Sequence, residues 1–161
     1  MDRRRLVGEL ESLYRNRYRQ FLRVAIAIVG DETAAHDVVQ ESFARAIKSA
    51  DSYRGEGTLE AWLWTVVVNV ARAACRDVLA GSPADDTFGA VNGRSIDDDA
   101  GIRAWIAALP ERQRLAIFLR YYADLDYRSI AAALDIEVGT VSATLSTAHA
   151  ALRRSLKEVS R

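Results

Sequence analysis

Apolar residues recur at three- and four-residue spacing along most of this chain, which is the period of one face of an α-helix. Leu6, Leu10, Phe21 and Val24 begin the pattern, and residues 80–101 interrupt it with Gly, Ser, Pro, Asn and Asp. The 161 residues include two prolines, and half are hydrophobic, so nearly all of the chain can be helical and can bury a core. The sequence therefore predicts an all-α fold with two small helical domains joined by a flexible acidic linker.

The predicted domains are residues 1–79 and residues 102–161, with the linker over 80–101. Three packed helices are expected in the first domain, and either Asp31 or Thr33 can cap the second of them. A Val-Val-Val run in the third helix has strand propensity. Three helices are nevertheless the simplest way to bury the apolar stripes.

The second domain is predicted to contain a helix-turn-helix. A short helix over 102–108 precedes Pro110, which the first turn of the next helix tolerates. A helix over 127–134 is then followed by a four-residue break at 135–138 and a last helix. A short helix, a tight turn and a longer helix are typical of the helix-turn-helix motif.

The charges balance overall but are unevenly distributed. The chain has 22 Lys and Arg against 22 Asp and Glu, which by itself disfavours a nucleic-acid-binding protein. Residues 1–78 contain 12 basic and 11 acidic side chains, residues 79–102 contain 1 and 5, and residues 103–161 contain 9 and 6. An acidic segment thus joins two mildly basic ends.

Several classes of protein are disfavoured by what the sequence lacks. The basic N-terminus is not followed by an apolar signal region, and the apolar stretches are shorter than the roughly 20 residues of a membrane span. We therefore expect a cytoplasmic protein without membrane insertion. His36 and His149 lie in different predicted domains, and Cys75 lies on an apolar helix. Without a phosphate-binding glycine loop or a paired-histidine motif, we expect no enzymatic activity, no cofactor and no metal.

Two stretches of the sequence resemble the two domains of a known family. Residues 109–156 read LPERQRLAIFLRYYADLDYRSIAAALDIEVGTVSATLSTAHAALRRSL, which resembles the promoter −35-binding domain of extracytoplasmic-function (ECF) sigma factors of the sigma-70 family. Residues 35–77 read AHDVVQESFARAIKSADSYRGEGTLEAWLWTVVVNVARAACRD, which is similar to the family's other domain. The resemblance implies an ECF-type sigma factor that binds core RNA polymerase and directs promoter-specific transcription initiation.

Core polymerase docking is assigned by this resemblance to Asp37, Gln40, Glu41 and Arg45. Their three- and four-residue offsets place them on one helical face. Two carboxylates and an arginine on such a face can pair with basic residues of a partner. The simpler interpretation is a solvated face with ordinary intrahelical ion pairs.

A reader of the promoter −10 element is implied in the loop after the second helix and on the third helix. Holding an unstacked base needs an adaptable loop with polar groups and a supporting helix. Trp62 is expected to be a core residue, whereas Trp64 is open to either role. The implied −10 contacts are Ser52, Tyr53, Arg54, Asn69, Arg72 and Arg76.

A −35 reader is implied on the last two helices. Family members usually carry Lys or Arg just after the Gly-Thr-Val of the recognition helix, but this chain has hydroxyl and small apolar side chains there. The bidentate Arg–guanine contact is therefore absent, and hydroxyls, thymine-methyl contacts and backbone amides remain. We expect weak, salt-sensitive DNA affinity for the isolated chain. The implied −35 contacts are Arg128, Thr140, Ser142, Ala143, Thr144, Ser146, Thr147 and Arg153.

The turn of the predicted helix-turn-helix also departs from the family. Asp135 stands where glycine is common, and aspartate tolerates a left-handed backbone less well than glycine does. Glu137 replaces the usual serine, so the last helix is expected to have a poorer cap and a carboxylate close to the DNA.

The partners implied by the resemblance are core RNA polymerase (through its beta-prime clamp helices and beta flap), promoter DNA and an anti-sigma factor. The acidic linker either threads towards a positively charged polymerase channel or is a solvated tether. Two other functions stay open. A stand-alone helix-turn-helix regulator would bind operator DNA without polymerase, and a sigma-like adaptor would bind polymerase or an anti-sigma protein without specifying promoters.

Overall fold

A computed structural model describes the backbone of residues 2–80 and 100–160 and the side chains of residues 2–77 and 104–160. Every regular element within these residues is helical, which confirms the predicted all-α class with two helical units. The predicted linker lies almost entirely outside the described residues. The N-terminal unit contains α1 (Arg3–Val29), α2 (Glu32–Lys48), a 3-10 turn (Ala50–Ser52) and α3 (Leu59–Ala80). The C-terminal unit contains α4 (Ala100–Ala107), α5 (Glu111–Tyr121), α6 (Tyr127–Leu134) and α7 (Val138–Val159).

The N-terminal unit is a three-helix bundle with aromatic rings at its centre. Phe21 of α1 lies 4.2 Å from Trp64 of α3 and 5.4 Å from Phe43 of α2, measured between ring centroids. Phe21 and Trp64 are fully buried. Large aromatic side chains bury more apolar area than any others, so this cluster joins all three helices.

The boundary between α1 and α2 follows from three consecutive residues. Gly30 ends α1 with a φ of 77°, a left-handed conformation that glycine adopts without steric cost. Asp31 then caps α2, because its Oδ2 accepts a hydrogen bond of 2.8 Å from the backbone N–H of Ala34. The prediction that Asp31 or Thr33 caps this helix is thus confirmed for Asp31.

The C-terminal unit packs α5, α6 and α7 around apolar residues that belong to the same buried cluster as those of the N-terminal unit. Leu115, Leu119, Ile130, Val141 and Leu145 are all buried there. The helix pair α6 and α7, joined by the short break at 135–137, forms the predicted helix-turn-helix.

The turn between α6 and α7 depends on a strained aspartate. Asp135 adopts φ 54° and ψ 51°, which is the left-handed region where the family commonly has glycine. The backbone N–H of Ile136 donates to the carbonyl of Ala131 over 3.0 Å, and this bond closes the helix end. Asp124 also has a positive φ, 55°, in the loop before α6.

The two units contact one another directly. Helix α3 packs against α6, and α1 packs against α5. The helix-turn-helix therefore rests on the N-terminal bundle, with the apolar faces of α3 covered from two sides.

Candidate docking and nucleic-acid interfaces

The predicted docking face lies on the solvent side of α2. Asp37, Gln40, Glu41 and Arg45 are all exposed, whereas the opposite side of the helix supplies core residues. Arg45 Nε lies 2.7 Å from Glu41 Oε1 in an i,i+4 ion pair. Among the described residues Asp37 makes no ion pair, so its carboxylate is available to a partner.

An aromatic contact fixes α2 next to this face. The Tyr18 hydroxyl hydrogen-bonds His36 Nδ1, and the two rings stack with centroids 5.6 Å apart. Burial raises the pKa of Tyr18, and the nearby Tyr14 adds to the effect. Since His36 precedes Asp37 directly, the contact ties α2 to α1 and limits how far Asp37 can move.

The loop predicted to read the −10 element is held by its own tyrosine. The Tyr53 hydroxyl donates to the carbonyl of Gly57 over 3.0 Å, and the ring lies 5.6 Å from that of Trp62. Gly57 has a φ of 77°, so this chain reversal favours glycine. Ser52 and Arg54 are exposed on the loop. Tyr53 therefore positions the loop as well as lining it.

The burial of the two tryptophans differs from what the sequence predicted. Trp62, which was expected in the core, is partly buried at the edge of the core and packs against it beside Tyr53. Trp64, which was left open, is fully buried against Phe21. A polar loop resting on a half-exposed tryptophan offers a stacking surface, so Trp62 joins the candidate −10 surface.

The remaining predicted −10 contacts lie further along α3. Asn69, Arg72 and Arg76 share one face, and Asn69 and Arg76 are exposed. At a rise of 1.5 Å per residue, Asn69 lies roughly 15 Å along the helix from Leu59, where the loop ends. The residues predicted to contact the −10 element thus lie in two separate groups, one in the loop and one on distal α3.

Cys75, on the same helix, is half-buried and does not have the environment of a nucleophile. Burial raises the pKa of its thiol, Glu111 raises it further, and Arg114 opposes both. A raised pKa keeps the sulfur protonated at neutral pH, and the thiol is a weak nucleophile.

The exposed start of α7 is the candidate −35 surface. Ser142, Ala143, Ser146 and Thr147 are exposed there, and Thr140 is half-buried. The prediction that Thr144 belongs to this surface is wrong. Thr144 is 8% exposed and faces the core of the C-terminal unit. Arg128 on α6 and Arg153 on distal α7 are exposed and flank it.

The hydrogen-bond capacity of the surface is partly used within α7. The Thr147 hydroxyl donates to the carbonyl of Ala143 over 2.9 Å, which leaves its oxygen free to accept. Glu137 precedes the helix and forms no side-chain cap, as expected from its chemistry. The first amides of α7 are therefore left for solvent or an incoming anion.

Asp126 caps the N-terminus of α6, the first helix of the helix-turn-helix. Its Oδ1 accepts a hydrogen bond of 2.8 Å from the backbone N–H of Ser129. The hydrogen bonds from the Ser129 side chain and backbone hold the pKa of Asp126 below its usual value, and Arg128 and Arg120 contribute. The carboxylate is thus favoured in the folded state.

Replacing Asp126 with alanine should lower the free energy of unfolding by about 1 kcal/mol, the usual value of an N-cap. Because the folded pKa is depressed, the carboxylate's extra stabilisation is complete above the unfolded pKa. It is lost as the pH falls through the folded pKa. Urea denaturation of wild type and Asp126→Asn between neutral pH and about pH 3 measures this, since asparagine caps without titrating. Identical pH profiles for the two proteins would refute the assignment.

A basic cleft at the boundary of the two units was missed by the sequence analysis. It has a volume of about 580 Å³ and is lined by Arg15, Arg19 and Arg23 of α1 with Tyr121 and Tyr122 of α5. The arginines follow at i, i+4 and i+8, a spacing that is visible in the sequence. The sequence therefore could have shown that the arginines share a face of α1. It could not have shown that Tyr121 and Tyr122 of the other unit lie against that face.

The comparison with protein families gives two matches. The model for sigma-70 region 2 matches residues 13–78, and the model for sigma-70 region 4 matches residues 101–152. The chain therefore belongs to the sigma-70 family. Curated relatives place it in the ECF group, whose members direct promoter-specific transcription initiation.

One such relative is the ECF RNA polymerase sigma-E factor of Salmonella typhimurium, with 29% identity over 144 residues, 78% of this chain and 75% of the relative. The sigma factor RpoE of Bartonella quintana, solved with the anti-sigma factor NepR, aligns over 92% of this chain and 97% of its own with a TM-score of 0.72 and 22% identity. CnrH, solved with the cytosolic domain of CnrY, aligns over 98% and 99% with a TM-score of 0.69 and 21% identity. Among the described helices, none combines the length and hydropathy that a membrane crossing requires.

Proposed function

We propose that the chain docks on the clamp helices of core RNA polymerase through Asp37, Gln40, Glu41 and Arg45. The observation that carries this assignment is the exposed polar face of α2, on which Asp37 has no ion-pair partner among the described residues. A desolvated charge pair fixes orientation and speeds encounter, so a free carboxylate beside an Arg–Glu pair suits a basic partner surface.

The −10 element is recognised at two places on the N-terminal unit in this proposal. Ser52, Tyr53 and Arg54 hold an extruded base against the half-exposed Trp62, because aromatic faces stack on any base. Asn69, Arg72 and Arg76 contact the adjoining backbone from distal α3. The separation of the groups favours contact with several consecutive nucleotides.

The −35 element is recognised by α7 in the proposal, while the C-terminal unit also contacts the polymerase beta flap. Ser142, Ser146 and Thr147 offer hydroxyls, and Thr140 and Ala143 offer small apolar contacts. Arg128 and Arg153 hold phosphates, which position the helix without reading sequence. Thr144 is excluded by its burial.

Replacing Ser142 or Thr147 with alanine should relax the −35 preference of the holoenzyme by roughly fivefold at one or two positions, the value of one hydrogen bond of about 1 kcal/mol. Selection from promoters randomised across the −35 element measures this, with Ser160→Ala as a control for the same chemical change at the end of α7. Core polymerase affinity should be unchanged. An unaltered −35 profile in both variants would show that α7 does not read bases.

A second candidate function is supported by one observation on the same helix. Residues 138–152 contain no Lys or Arg, although this is where a DNA-reading helix usually carries them. A sigma-like adaptor would bind polymerase or an anti-sigma protein without specifying promoters. The selection from promoters randomised across the −35 element distinguishes the two functions. If the wild-type chain is an adaptor, no −35 sequence should be enriched.

The remaining assignments follow from the family. RpoE of Bartonella quintana was solved with the anti-sigma factor NepR, and we propose that an anti-sigma factor also controls this chain in the cytoplasm. The chain acts by binding and is not an enzyme in this proposal, which is supported by its membership of the sigma-70 family. The domain limits 1–79 and 102–161, with the acidic linker 80–101 directed towards a basic polymerase channel, complete the proposal.

A further inference from the structure

The basic cleft between α1 and α5 concentrates positive charge in a chain whose net charge is zero. Residues 12–30 contain four arginines and no acidic residue. Three of these arginines, Arg15, Arg19 and Arg23, line the cleft, and none of its described lining residues is acidic. A concave surface rich in guanidinium groups and free of carboxylates favours a ligand that carries several negative charges.

The three arginines differ in how available they are to such a ligand. Arg19 is exposed and forms no ion pair among the described residues. Arg23 is half-buried, and its guanidinium lies 5.3 Å from the centroid of the Tyr122 ring, which fixes its direction. Arg15 Nη2 lies 2.6 Å from Glu11 Oε1, so the charge of Arg15 is partly neutralised. Arg19 and Arg23 are therefore the best placed to hold an anion.

Tyr121 supplies an aromatic wall beside these charges. The residue is 61% exposed, and its hydroxyl hydrogen-bonds His149 Nε2 of α7 over 2.8 Å, which orients the ring. The neighbouring Tyr122 is stacked on Phe118 with ring centroids 5.1 Å apart and also contacts Arg23. Tyr121 is therefore the tyrosine whose ring is left for a planar ligand group, and aromatic rings stack on any nucleic-acid base.

Other contacts of α5 hold the two walls of the cleft together. Arg114 of α5 is 6% exposed, and its Nε donates to the carbonyl of Ala27 in α1 over 3.2 Å. Arg72 Nε of α3 lies 3.0 Å from Glu111 Oε1 of α5. The cleft is thus formed without a ligand, and a preformed site lowers the ordering cost of binding.

We propose that the cleft binds a nucleoside triphosphate, with the phosphates on Arg19 and Arg23 and the base stacked on Tyr121. Its volume of about 580 Å³ lies in the range of small-molecule sites, whereas a protein partner needs a larger surface. Successive arginines are about 6 Å apart along α1, a span that a chain of phosphates reaches and a single phosphate does not. The inference does not rest on the proposed function, because these three residues are not assigned to polymerase or DNA.

Isothermal titration calorimetry of the full chain with ATP tests the proposal, in buffer without magnesium because that ion neutralises phosphate charge. Folded wild type should bind ATP saturably below about 1 mM, and inorganic tripolyphosphate should bind roughly fivefold more weakly because it has no base. Arg19→Gln should weaken both ligands by roughly tenfold, the value of one charge-assisted hydrogen bond. Arg4→Gln removes the same charge from an exposed position near the start of α1, outside the cleft, and should change neither affinity.

Two variants of Tyr121 separate base stacking from anion binding. Tyr121→Leu should lower ATP affinity to that of tripolyphosphate and leave tripolyphosphate binding unchanged. Tyr121→Phe keeps the ring and loses only the hydroxyl contact with His149, so it should keep the preference for ATP over tripolyphosphate. Circular dichroism verifies that each variant is folded.

Four results would overturn the inference. The first is a folded wild-type chain that shows no saturable ATP binding below about 1 mM. The second is an equal loss of affinity in Arg4→Gln and Arg19→Gln, and the third is a wild-type chain that binds tripolyphosphate as tightly as ATP. The fourth is a single-stranded oligonucleotide that displaces ATP at a lower concentration than ATP itself requires, which would make the cleft a nucleic-acid site.

Discussion

Replacing Asp37 with arginine should weaken binding of the chain to core RNA polymerase by at least tenfold. In the proposed docking, the substitution turns an exposed carboxylate into a positive charge that faces a basic partner surface, and like charges placed together at an interface cost several kcal/mol. Glu41→Arg should act in the same direction and also lose its ion pair with Arg45. Each tenfold loss corresponds to about 1.4 kcal/mol of binding free energy.

The folding of these variants should be almost unchanged, because exposed substitutions away from special features usually fall within about 0.5 kcal/mol. Glu158→Arg is the matched control: it makes the same charge change on an exposed residue near the end of α7. Fluorescence anisotropy with labelled chain gives the affinity, and urea denaturation gives the stability. Full affinity in a folded Asp37→Arg protein would show that α2 does not dock.

Replacing Trp64 with alanine should lower the free energy of unfolding by about 3–5 kcal/mol, the range for deleting a large aromatic side chain from a core. Trp64 is fully buried and lies against Phe21 in the cluster that joins α1, α2 and α3. The cavity would open between all three helices, so little relaxation is expected. Urea denaturation followed by circular dichroism measures the loss.

Trp64→Phe separates ring packing from the polar group. The indole Nε1 of Trp64 is buried and has no hydrogen-bond partner among the described residues. Phenylalanine keeps an aromatic ring and removes this unsatisfied donor, so its cost should be less than half that of alanine. As a control, Trp62→Ala should cost less, because Trp62 is partly exposed. Equal losses at Trp62 and Trp64 would contradict the described core.

The sequence periodicity predicted the helices well because the apolar stripes are long. The Asp31 cap was also predictable, since it depends on local backbone chemistry. The left-handed Asp135 was implied by the family resemblance, because glycine is common at that position in the family. The two tryptophans were harder. Trp62 and Trp64 lie about 200° apart around α3, and both sides of this helix are apolar, so spacing alone does not show which side meets the bundle.

Thr144 was misassigned although a signal was present. It lies three residues after Val141 and four before Ala148, both of which are fully buried, and so belongs to the buried stripe of α7. It was assigned to the −35 contacts because its side chain has a hydroxyl group. The contacts of Arg114 and Glu111 across the units had no such signal, because they depend on the packing of helices far apart in the chain.

Competition for core RNA polymerase tests the central assignment most directly. The folded chain is titrated into core polymerase bound to a fluorescently labelled primary sigma factor, without DNA and without an anti-sigma protein. An ECF sigma factor that docks through α2 should displace the label, and Asp37→Arg should displace it at least tenfold less effectively. A well-folded wild-type chain that displaces none of the label would contradict the assignment.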